Sequence, residues 1–310
     1  MSGVIEDERW EDYLIVLRPE RNEPDWWAGA PSVARIPDGD TYLATRMREA
    51  ISPRGKRGYE VRILRSTDGK RFGNIAKLKR EEVPIAGFER PSLLYDPDSG
   101  LFSIYLCGPW PFEGEGNWSI LRLDDVEDPE DFDPSTATPV LCPNTSGGER
   151  DYGVKGYKDP FVWFDGRRYR MLVIGYHPER TYLFVSDDGR KWSRAGDGPW
   201  FDLGGWHTFY TRPACVLPMG AGYLFVYEGS HPEWFDPPYN IATGLAWSPD
   251  MRSCVDLTPR EPYLKSSTPG RYHTWRYSHW MWREGQLWVY AEVACENDTN
   301  EVRLFRLDLH

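Results

Sequence analysis

The chain has 310 residues and a formal net charge of −11, with 48 acidic against 37 basic side chains and no long basic run. This balance disfavours a nucleic-acid partner, because binding to a phosphate backbone depends on clustered lysine and arginine. The first ten residues lack the basic-then-apolar order of a signal peptide, and no apolar stretch is long enough to cross a bilayer. We therefore expect a cytoplasmic protein that binds neither nucleic acid nor a membrane.

The composition favours a fold built of β-sheets. Tryptophan occurs 15 times and tyrosine 18 times, whereas stretches with a helical period are nearly absent. The five cysteines are scattered and odd in number, which is typical of reduced core side chains. The histidines show no metal-ligand spacing, so we expect neither a metal ion nor another cofactor.

Groups of short apolar runs recur along the chain, and each group begins with a motif around a proline. The motifs lie at 29–33, 89–93, 158–162 and 211–215, and a fifth at 278–282 has Trp280 in the place given to the proline. A glycine-containing turn and further runs follow each motif, and Ser-x-Asp-Gly turns occur at 66–69 and 186–189. This order predicts a four-stranded antiparallel unit.

Five such units predict an all-β fold, a five-bladed β-propeller whose blades have about four antiparallel strands and whose single domain spans 1–310. A β-sandwich is the main structural alternative. We interpret the Ser-x-Asp-Gly turns as structural, because the aspartate accepts hydrogen bonds from local amides and the glycine takes a positive φ.

The predicted topology brings two sets of side chains to one end of the propeller axis. The first strand of each blade is innermost, and antiparallel order returns the end of the second strand to the same side. The loops 108–113 and 231–236 are expected to wall a pocket there. The alternative to a functional role for each acid is an ion pair with a neighbouring cation, since Arg90, Lys158 and Arg212 occupy related positions. First strands begin with Glu89, Asp159, Arg212 and His279, and second strands end with Arg46, Tyr176, Glu228 and Glu292.

The order of these motifs resembles that of the five-bladed propeller glycosidases and phosphorylases, namely arabinanases and xylosidases, invertases, and the mannoside phosphorylases of glycoside hydrolase family 130. The run 158–162 looks like their blade-three Asp-Pro element, which implies that Asp159 stabilises the transition state and tunes the acid. Arg46 and the run 63–72 are similar to the blade-one signature of the mannoside phosphorylases. Two positions depart from the pattern, since Ala30 and Arg90 stand where these enzymes carry aspartates.

The resemblance implies an enzyme that cleaves a glycosidic bond, for which one carboxylic acid and one carboxylate are needed. Glu89 and Glu228 are the candidate pair, and Asp159 is the third catalytic candidate. Saccharide is the expected partner. One alternative has phosphate in place of water, and another, which Ala30 favours, is a non-catalytic propeller that binds a saccharide or a different polar metabolite. The side chains expected to bind substrate are Arg46, Arg90, Arg212, His279, Trp27, Tyr176 and Glu292.

Overall fold

The computed structural model describes residues 10–52, 55, 57–110, 118–143, 154–176, 179–235 and 240–308. This part of the chain is nearly all β-structure, as predicted, with a single short α-helix, α1 (Pro232–Phe235). None of its helices is long and apolar enough to cross a membrane. The strands in chain order are β1 (Tyr13–Leu17), β2 (Trp27–Arg35), β3 (Thr41–Arg48), β4 (Gly58–Ser66), β5 (Gly73–Lys79), β6 (Ser92–Asp96), β7 (Leu101–Pro109), β8 (Trp118–Arg122), β9 (Thr138–Leu141), β10 (Tyr157–Phe164), β11 (Tyr169–Gly175), β12 (Arg180–Ser186), β13 (Ser193–Arg194), β14 (Tyr210–Pro218), β15 (Tyr223–Ser230), β16 (Ala242–Ser248), β17 (Val255–Asp256), β18 (Trp275–Arg283), β19 (Gln286–Ala294) and β20 (Asn300–Leu307).

The strands pair in antiparallel groups of four. Strands β6–β9, β10–β13 and β14–β17 form three separate four-stranded sheets, and the remaining eight strands form one larger sheet. Within that sheet a single parallel pair, Trp27 with Asn300, joins β2–β5 to β18–β20. Strand β1 pairs antiparallel with β20. We refer to β2–β5, β6–β9, β10–β13 and β14–β17 as units one to four, and to β18–β20 with β1 as unit five.

The first strands of the units pack against one another in a circuit. Strand β2 contacts β6, β6 contacts β10, β10 contacts β14, β14 contacts β18, and β18 contacts β2. At four of the five junctions, a side chain of one first strand accepts a hydrogen bond from a backbone N–H of the neighbouring first strand. The acceptors and donors are Ser32 Oγ with Leu93 (2.8 Å), Ser92 Oγ with Val162 (3.0 Å), Cys215 Sγ with Trp280 (3.3 Å) and His279 Nδ1 with Val33 (3.2 Å).

Bulges near the starts of the first strands set the direction of the side chains there. The register shifts between Gly29 and Ser32 in β2, and between Lys158 and Phe161 in β10. In β18 the shift lies between Arg276 and His279, so Ser278 occupies the position of Pro160. The placement of Trp280 at that position in the sequence pattern was therefore wrong. Ala30, Asp159 and Tyr277 occupy equivalent positions, with φ of +53°, +55° and +52°.

The two Ser-x-Asp-Gly turns close the third and fourth strands of their units. Asp68 Oδ1 accepts hydrogen bonds from the N–H groups of Lys70 (2.8 Å) and Arg71 (2.9 Å), and Gly69 has a φ of +70°. The hydroxyl of Tyr290 in unit five donates to the carbonyl oxygen of Gly69 (2.7 Å). The turn at 186–189 has the same internal bonds. These turns are structural, as predicted, and they also fasten neighbouring units together.

A glycine permits the close approach of units one and two. A methyl group at Gly58 would overlap the carbonyl oxygen of Phe88, whose N–H donates to the Gly58 carbonyl (2.9 Å). We expect Gly58→Ala to lower the free energy of unfolding by about 1–3 kcal/mol, because the overlap forces backbone to move. Gly73→Ala is the matched control, since no atom lies within 4 Å of a methyl group there. Equal urea midpoints for both variants would contradict the prediction.

Candidate functional site

Charged side chains meet where the first strands begin, on the side of the molecule that we call the starting face. The acids Glu89, Asp159, Glu228 and Glu292 lie together there with three arginines and a tyrosine that link them. We call this set the acid–arginine cluster; its members are Arg46, Glu89, Asp159, Arg212, Glu228, Arg276, Tyr277 and Glu292.

One half of the cluster is built around Arg46, at the end of β3. Its side chain is fully buried and forms ion pairs with Glu89 and with Glu292, the latter at 3.3 Å. Glu292 also accepts from Arg276 Nη2 (2.7 Å) and from the N–H of Ala30 (2.9 Å). Because protein donors occupy its acceptor positions, Glu292 has a structural role in this half of the cluster.

The other half of the cluster is built around Arg212, at the start of β14. Its Nε donates to Glu228 Oε2 (2.6 Å), and its Nη1 donates to the hydroxyl of Tyr277 (2.9 Å) and lies 3.4 Å from Asp159 Oδ2. The Tyr277 hydroxyl lies 3.4 Å from each Asp159 oxygen, and the Tyr277 N–H donates to Glu228 Oε1. The contacts of Asp159 are thus longer and weaker than those of Glu228.

Tyr277 joins the two halves. Its ring centroid lies 3.9 Å from the guanidinium carbon of Arg212, 5.1 Å from that of Arg276, 5.2 Å from that of Arg46 and 6.0 Å from that of Arg90. Burial raises the pKa of the Tyr277 hydroxyl well above its usual value, so the hydroxyl stays protonated and donates toward Asp159. A bulky residue with a positive φ is an outlier that persists only where its surroundings fix it.

The pKa values of two acids move in opposite directions. Burial opposes the ionisation of Glu89, but Arg46, Arg48 and Lys158 outweigh it and hold the pKa well below the usual value. Burial also acts on Glu228, and there it outweighs Arg212 and Arg90, so the pKa is raised. Of these two acids, Glu89 is therefore the one that is held as a carboxylate.

Exposure separates these acids further. The side chain of Glu89 is 22% exposed, whereas those of Glu228 and Glu292 are fully buried and that of Asp159 is 5% exposed. Beside Glu89, the Lys158 ammonium lies 4.1 Å from the ring centroid of Trp118 and 5.4 Å from that of Tyr176. Lys158 and Tyr176 are both partly exposed. Glu89 is therefore the cluster carboxylate that solvent or a ligand reaches most readily.

Two further residues predicted to bind substrate are enclosed by protein, as Arg46 and Glu292 are. Arg90 is fully buried and donates to the carbonyl oxygens of Pro213 (2.8 Å) and Ala214, so it ties unit two to unit four. Trp27 is also fully buried, and the guanidinium carbon of Arg48 lies 4.3 Å from its ring centroid. Neither side chain offers an exposed surface to a ligand.

His279 lies outside the cluster, further along β18. Its Nδ1 accepts the hydrogen bond from Val33, which places the proton of the neutral ring on Nε2. Burial, with a contribution from Arg90, lowers the pKa of His279 to about 3. The imidazole is therefore neutral at physiological pH and serves the junction between units five and one.

This low pKa makes stability depend on pH. Between about pH 6.5 and pH 3 the unfolded chain binds a proton at His279 that the folded chain does not bind, so the free energy of unfolding falls as pH falls through this window. We expect the wild type to lose more stability than His279→Gln in urea titrations between pH 7.5 and pH 5.5. Parallel losses in the two proteins would contradict the prediction.

The sequence pattern missed Arg276 and Tyr277, although a signal for them was present. Arg212 pairs with Glu228 across β14 and β15, and Arg276 pairs with Glu292 across β18 and β19, with the same separation of 16 residues. Aligning the units on these Arg–Glu pairs, rather than on the proline, places Arg276 and Tyr277 at the start of β18.

A cavity of about 440 Å³ also opens on the starting face, in unit four. It lies between the segment before β14 and the segment after β15, and His231, Pro232 and Glu233 from the predicted loop 231–236 line it. No predicted site residue lines this cavity. Residues 111–113 of the other predicted loop, and residue 236 of this one, lie outside the described residues.

Among proteins of known structure, the chain is similar to carbohydrate-active enzymes. One is described as a glycoside hydrolase (TM-score 0.74, 14% identity, covering 94% of this chain and 90% of that one). Another is a glycosyl hydrolase from Bacteroides ovatus (0.69, 14%, 96% and 94%), and a third is the β-1,2-mannobiose phosphorylase from Listeria innocua in complex with β-1,2-mannobiose (0.68, 14%, 95% and 94%).

The chain has the fold of these enzymes. The resemblance drawn from the motifs is thus confirmed at the level of the fold, over nearly the whole chain. No protein-family model matches the sequence, and no curated protein matches it either. The chain is accordingly a divergent example of this fold.

Proposed function

We propose that this protein is a glycoside-processing enzyme that cleaves a glycosidic bond at the starting face of a single five-bladed propeller, 1–310. The circuit of five first strands, each of which belongs to a unit of four strands, supports five blades. The observation that carries the function is Glu89, a partly exposed carboxylate that Arg46 keeps ionised beside a second acid, Asp159, in a fold shared with glycoside hydrolases and phosphorylases.

In this proposal Glu89 and Asp159 are the reactive pair. The N–H of Arg90, the residue after Glu89, lies 3.5 Å from Asp159 Oδ1, so the two acids belong to adjacent segments of the site. Glu89, as the ionised group, activates water or attacks the anomeric carbon. Asp159 acts in its protonated form: it gives its proton to the leaving oxygen and is reprotonated from solvent before the next cycle. The long contacts of Asp159 leave it able to exchange protein partners for substrate.

Glu228 has a different role in this proposal from the one expected on sequence. Its pair with Arg212 has the same place in unit four as the pair of Glu292 with Arg276 in unit five. We therefore assign Glu228 to positioning, since it holds Arg212 and the backbone of Tyr277 in place. The original pairing of Glu89 with Glu228, in which the raised pKa suits a proton donor, is the alternative that mutation distinguishes.

The residues around the site divide into two groups in this proposal, those that contact substrate and those that hold the site in place. Lys158 and Tyr176, partly exposed beside Glu89, are proposed to contact sugar hydroxyls. Arg212 is only 7% exposed, and its buried Nη2 has no hydrogen-bond partner among the described residues; we propose that it contacts substrate beside Asp159. The remaining predicted residues are proposed to hold the site in place without contacting substrate; they are Arg46, Arg90, Trp27, His279 and Glu292.

Water is the proposed acceptor rather than phosphate. Arg46, Arg212 and Arg276 each pair with a carboxylate, and Arg90 bonds to two carbonyl oxygens. A phosphate ion would have to displace an acid from one of these arginines, whereas water needs only a carboxylate to activate it.

The test is to incubate the purified protein with a panel of α- and β-linked mannosides, arabinosides, xylosides, glucosides and galactosides. Each incubation is run with and without inorganic phosphate. Release of free sugar in both conditions supports hydrolysis. Sugar 1-phosphate formed only with phosphate would overturn the choice of water. Binding to members of the panel by calorimetry without any cleavage would overturn the enzyme proposal in favour of a binding propeller.

Tyr277→Phe probes the link between the two halves of the site. We expect kcat to fall about 10²-fold, because Asp159 loses a donor that fixes its position. KM should change much less than kcat, because the lost hydroxyl positions a reacting group and does not itself bind the sugar. Tyr290→Phe is the matched control, since its buried hydroxyl bonds to Gly69 outside the site. A fall in kcat of the same size in Tyr290→Phe would reduce Tyr277 to a purely structural residue.

A further inference from the structure

The cavity in unit four lies within reach of the acid–arginine cluster. Its residue Thr208 precedes Arg212 by four positions, a separation of about 13 Å along an extended chain. Between them, Tyr210 pairs with Ser230 and Thr211 with Gly229, so the wall of the cavity and the pair Arg212–Glu228 are built on the same two strands. A ligand that occupies both places must therefore be longer than a single sugar.

One wall of the cavity is fixed by the fold. The Trp206 indole N–H donates to the carbonyl oxygen of Thr258 (2.9 Å), and its ring lies nearly parallel to that of Tyr227, with centroids 5.9 Å apart. His207, the next residue, is held by Asp256, with Nε2 and Oδ2 3.1 Å apart. This wall is formed before any ligand arrives, which limits the entropy lost on binding.

The opposite wall is the segment after β15. The Ser230 hydroxyl donates to the carbonyl oxygen of Asn240 (2.8 Å), and Asn240 Nδ2 donates to the carbonyl oxygen of Trp234 (2.7 Å). These bonds hold His231 and Glu233 at the cavity, where Glu233 is exposed. The two walls together present an indole, an imidazole, a hydroxyl and a carboxylate, a mixture of one apolar face and several hydrogen-bonding groups.

We propose that this cavity is a second saccharide subsite, and that the substrate is an oligosaccharide whose further units extend from the cluster over unit four. This inference rests on the proposed function for the identity of the ligand as a saccharide. The part of Trp206 that lines the cavity, in a residue that is 9% exposed, supplies an apolar contact for a sugar ring, and Thr208, His231 and Glu233 bind hydroxyl groups.

The test compares wild type with the double variant His231→Ala, Glu233→Gln, and with Glu284→Gln as the matched control on the opposite face. Mono- to tetrasaccharides of mannose, xylose, arabinose, glucose and galactose are the probes, measured by calorimetry on a Glu89→Gln background and by kcat/KM on the active background. We expect wild-type affinity and kcat/KM to rise with chain length, and the double variant to lose about tenfold on the longest ligands while matching wild type on disaccharides.

The outcomes separate the two proposals. Length-dependent binding that the double variant loses, without cleavage of any probe, supports the subsite and overturns the enzymatic function. Cleavage that is independent of length and equal in all three proteins overturns the subsite and leaves the enzymatic function standing. Absence of binding to every probe overturns the subsite as well.

Discussion

Glu89→Gln is expected to lower kcat by about 10³-fold or more, because it removes the carboxylate that activates water or attacks the anomeric carbon. The glutamine keeps the shape of the side chain and still accepts a hydrogen bond from Arg46, which retains Glu292 as a charged partner. The fold should therefore survive. Initial rates on the best substrate of the panel, with circular dichroism to confirm folding, measure the effect.

Two comparisons make this result specific to Glu89. Glu49→Gln is the matched control, since Glu49 is similarly exposed, at 18%, and pairs with Arg80 away from the cluster. It should keep wild-type kcat. Glu228→Gln should lose less activity than Glu89→Gln and should keep the pH optimum, as a positioning role requires. A wild-type rate for Glu89→Gln would contradict the assignment, and a loss of the proton-donor limb in Glu228→Gln would restore the original pair.

The second large effect is on stability. Glu292→Gln should lower the free energy of unfolding by about 3–5 kcal/mol, because it leaves Arg46 and Arg276 in the interior without the charge that they share. Glu292 has no exposed surface, and these two arginines outweigh burial and hold its pKa below the usual value. Urea denaturation at pH 7 measures the loss.

Charge and packing can be told apart in this experiment. Glu284→Gln, at an exposed turn of the same unit, should change the free energy of unfolding by less than about 1 kcal/mol. A double variant Glu292→Gln, Arg276→Met should recover part of the loss, because it removes one of the two buried arginine charges that Glu292 offsets. A Glu292→Gln protein as stable as wild type would mean that Arg46 and Arg276 do not depend on this carboxylate.

Much of the fold could be predicted from the sequence because the signals were local. The proline motifs marked β2, β10 and β14, and the aspartate and glycine of the turn at 66–69 specified its hydrogen bonds. The fifth motif was misplaced because Ser278 stands in the place of the proline, and no proline anchored the alignment of β18. The bulge itself is a property of strand pairing, which a single strand does not reveal.

The site could be predicted only in part, for a related reason. Ends of strands identified Glu89, Asp159 and Glu228 as neighbours, but not which of them is exposed. That depends on the bulges, which turn Asp159 and Tyr277 toward each other from units three and five. The buried position of Arg90 likewise depends on carbonyl groups 123 and 124 residues further along the chain, contacts with no local signal.

The pairing of β1 with β20 has a consequence for how the chain acquires its structure. Strand β1, residues 13–17, belongs to the sheet of unit five, so a ribosome must synthesise the chain at least as far as residue 307 before that sheet is complete. Contacts between segments so distant in sequence slow folding and make it cooperative. We therefore expect nascent chains that end before β20 to remain sensitive to protease, and protection to appear in one step once it has emerged.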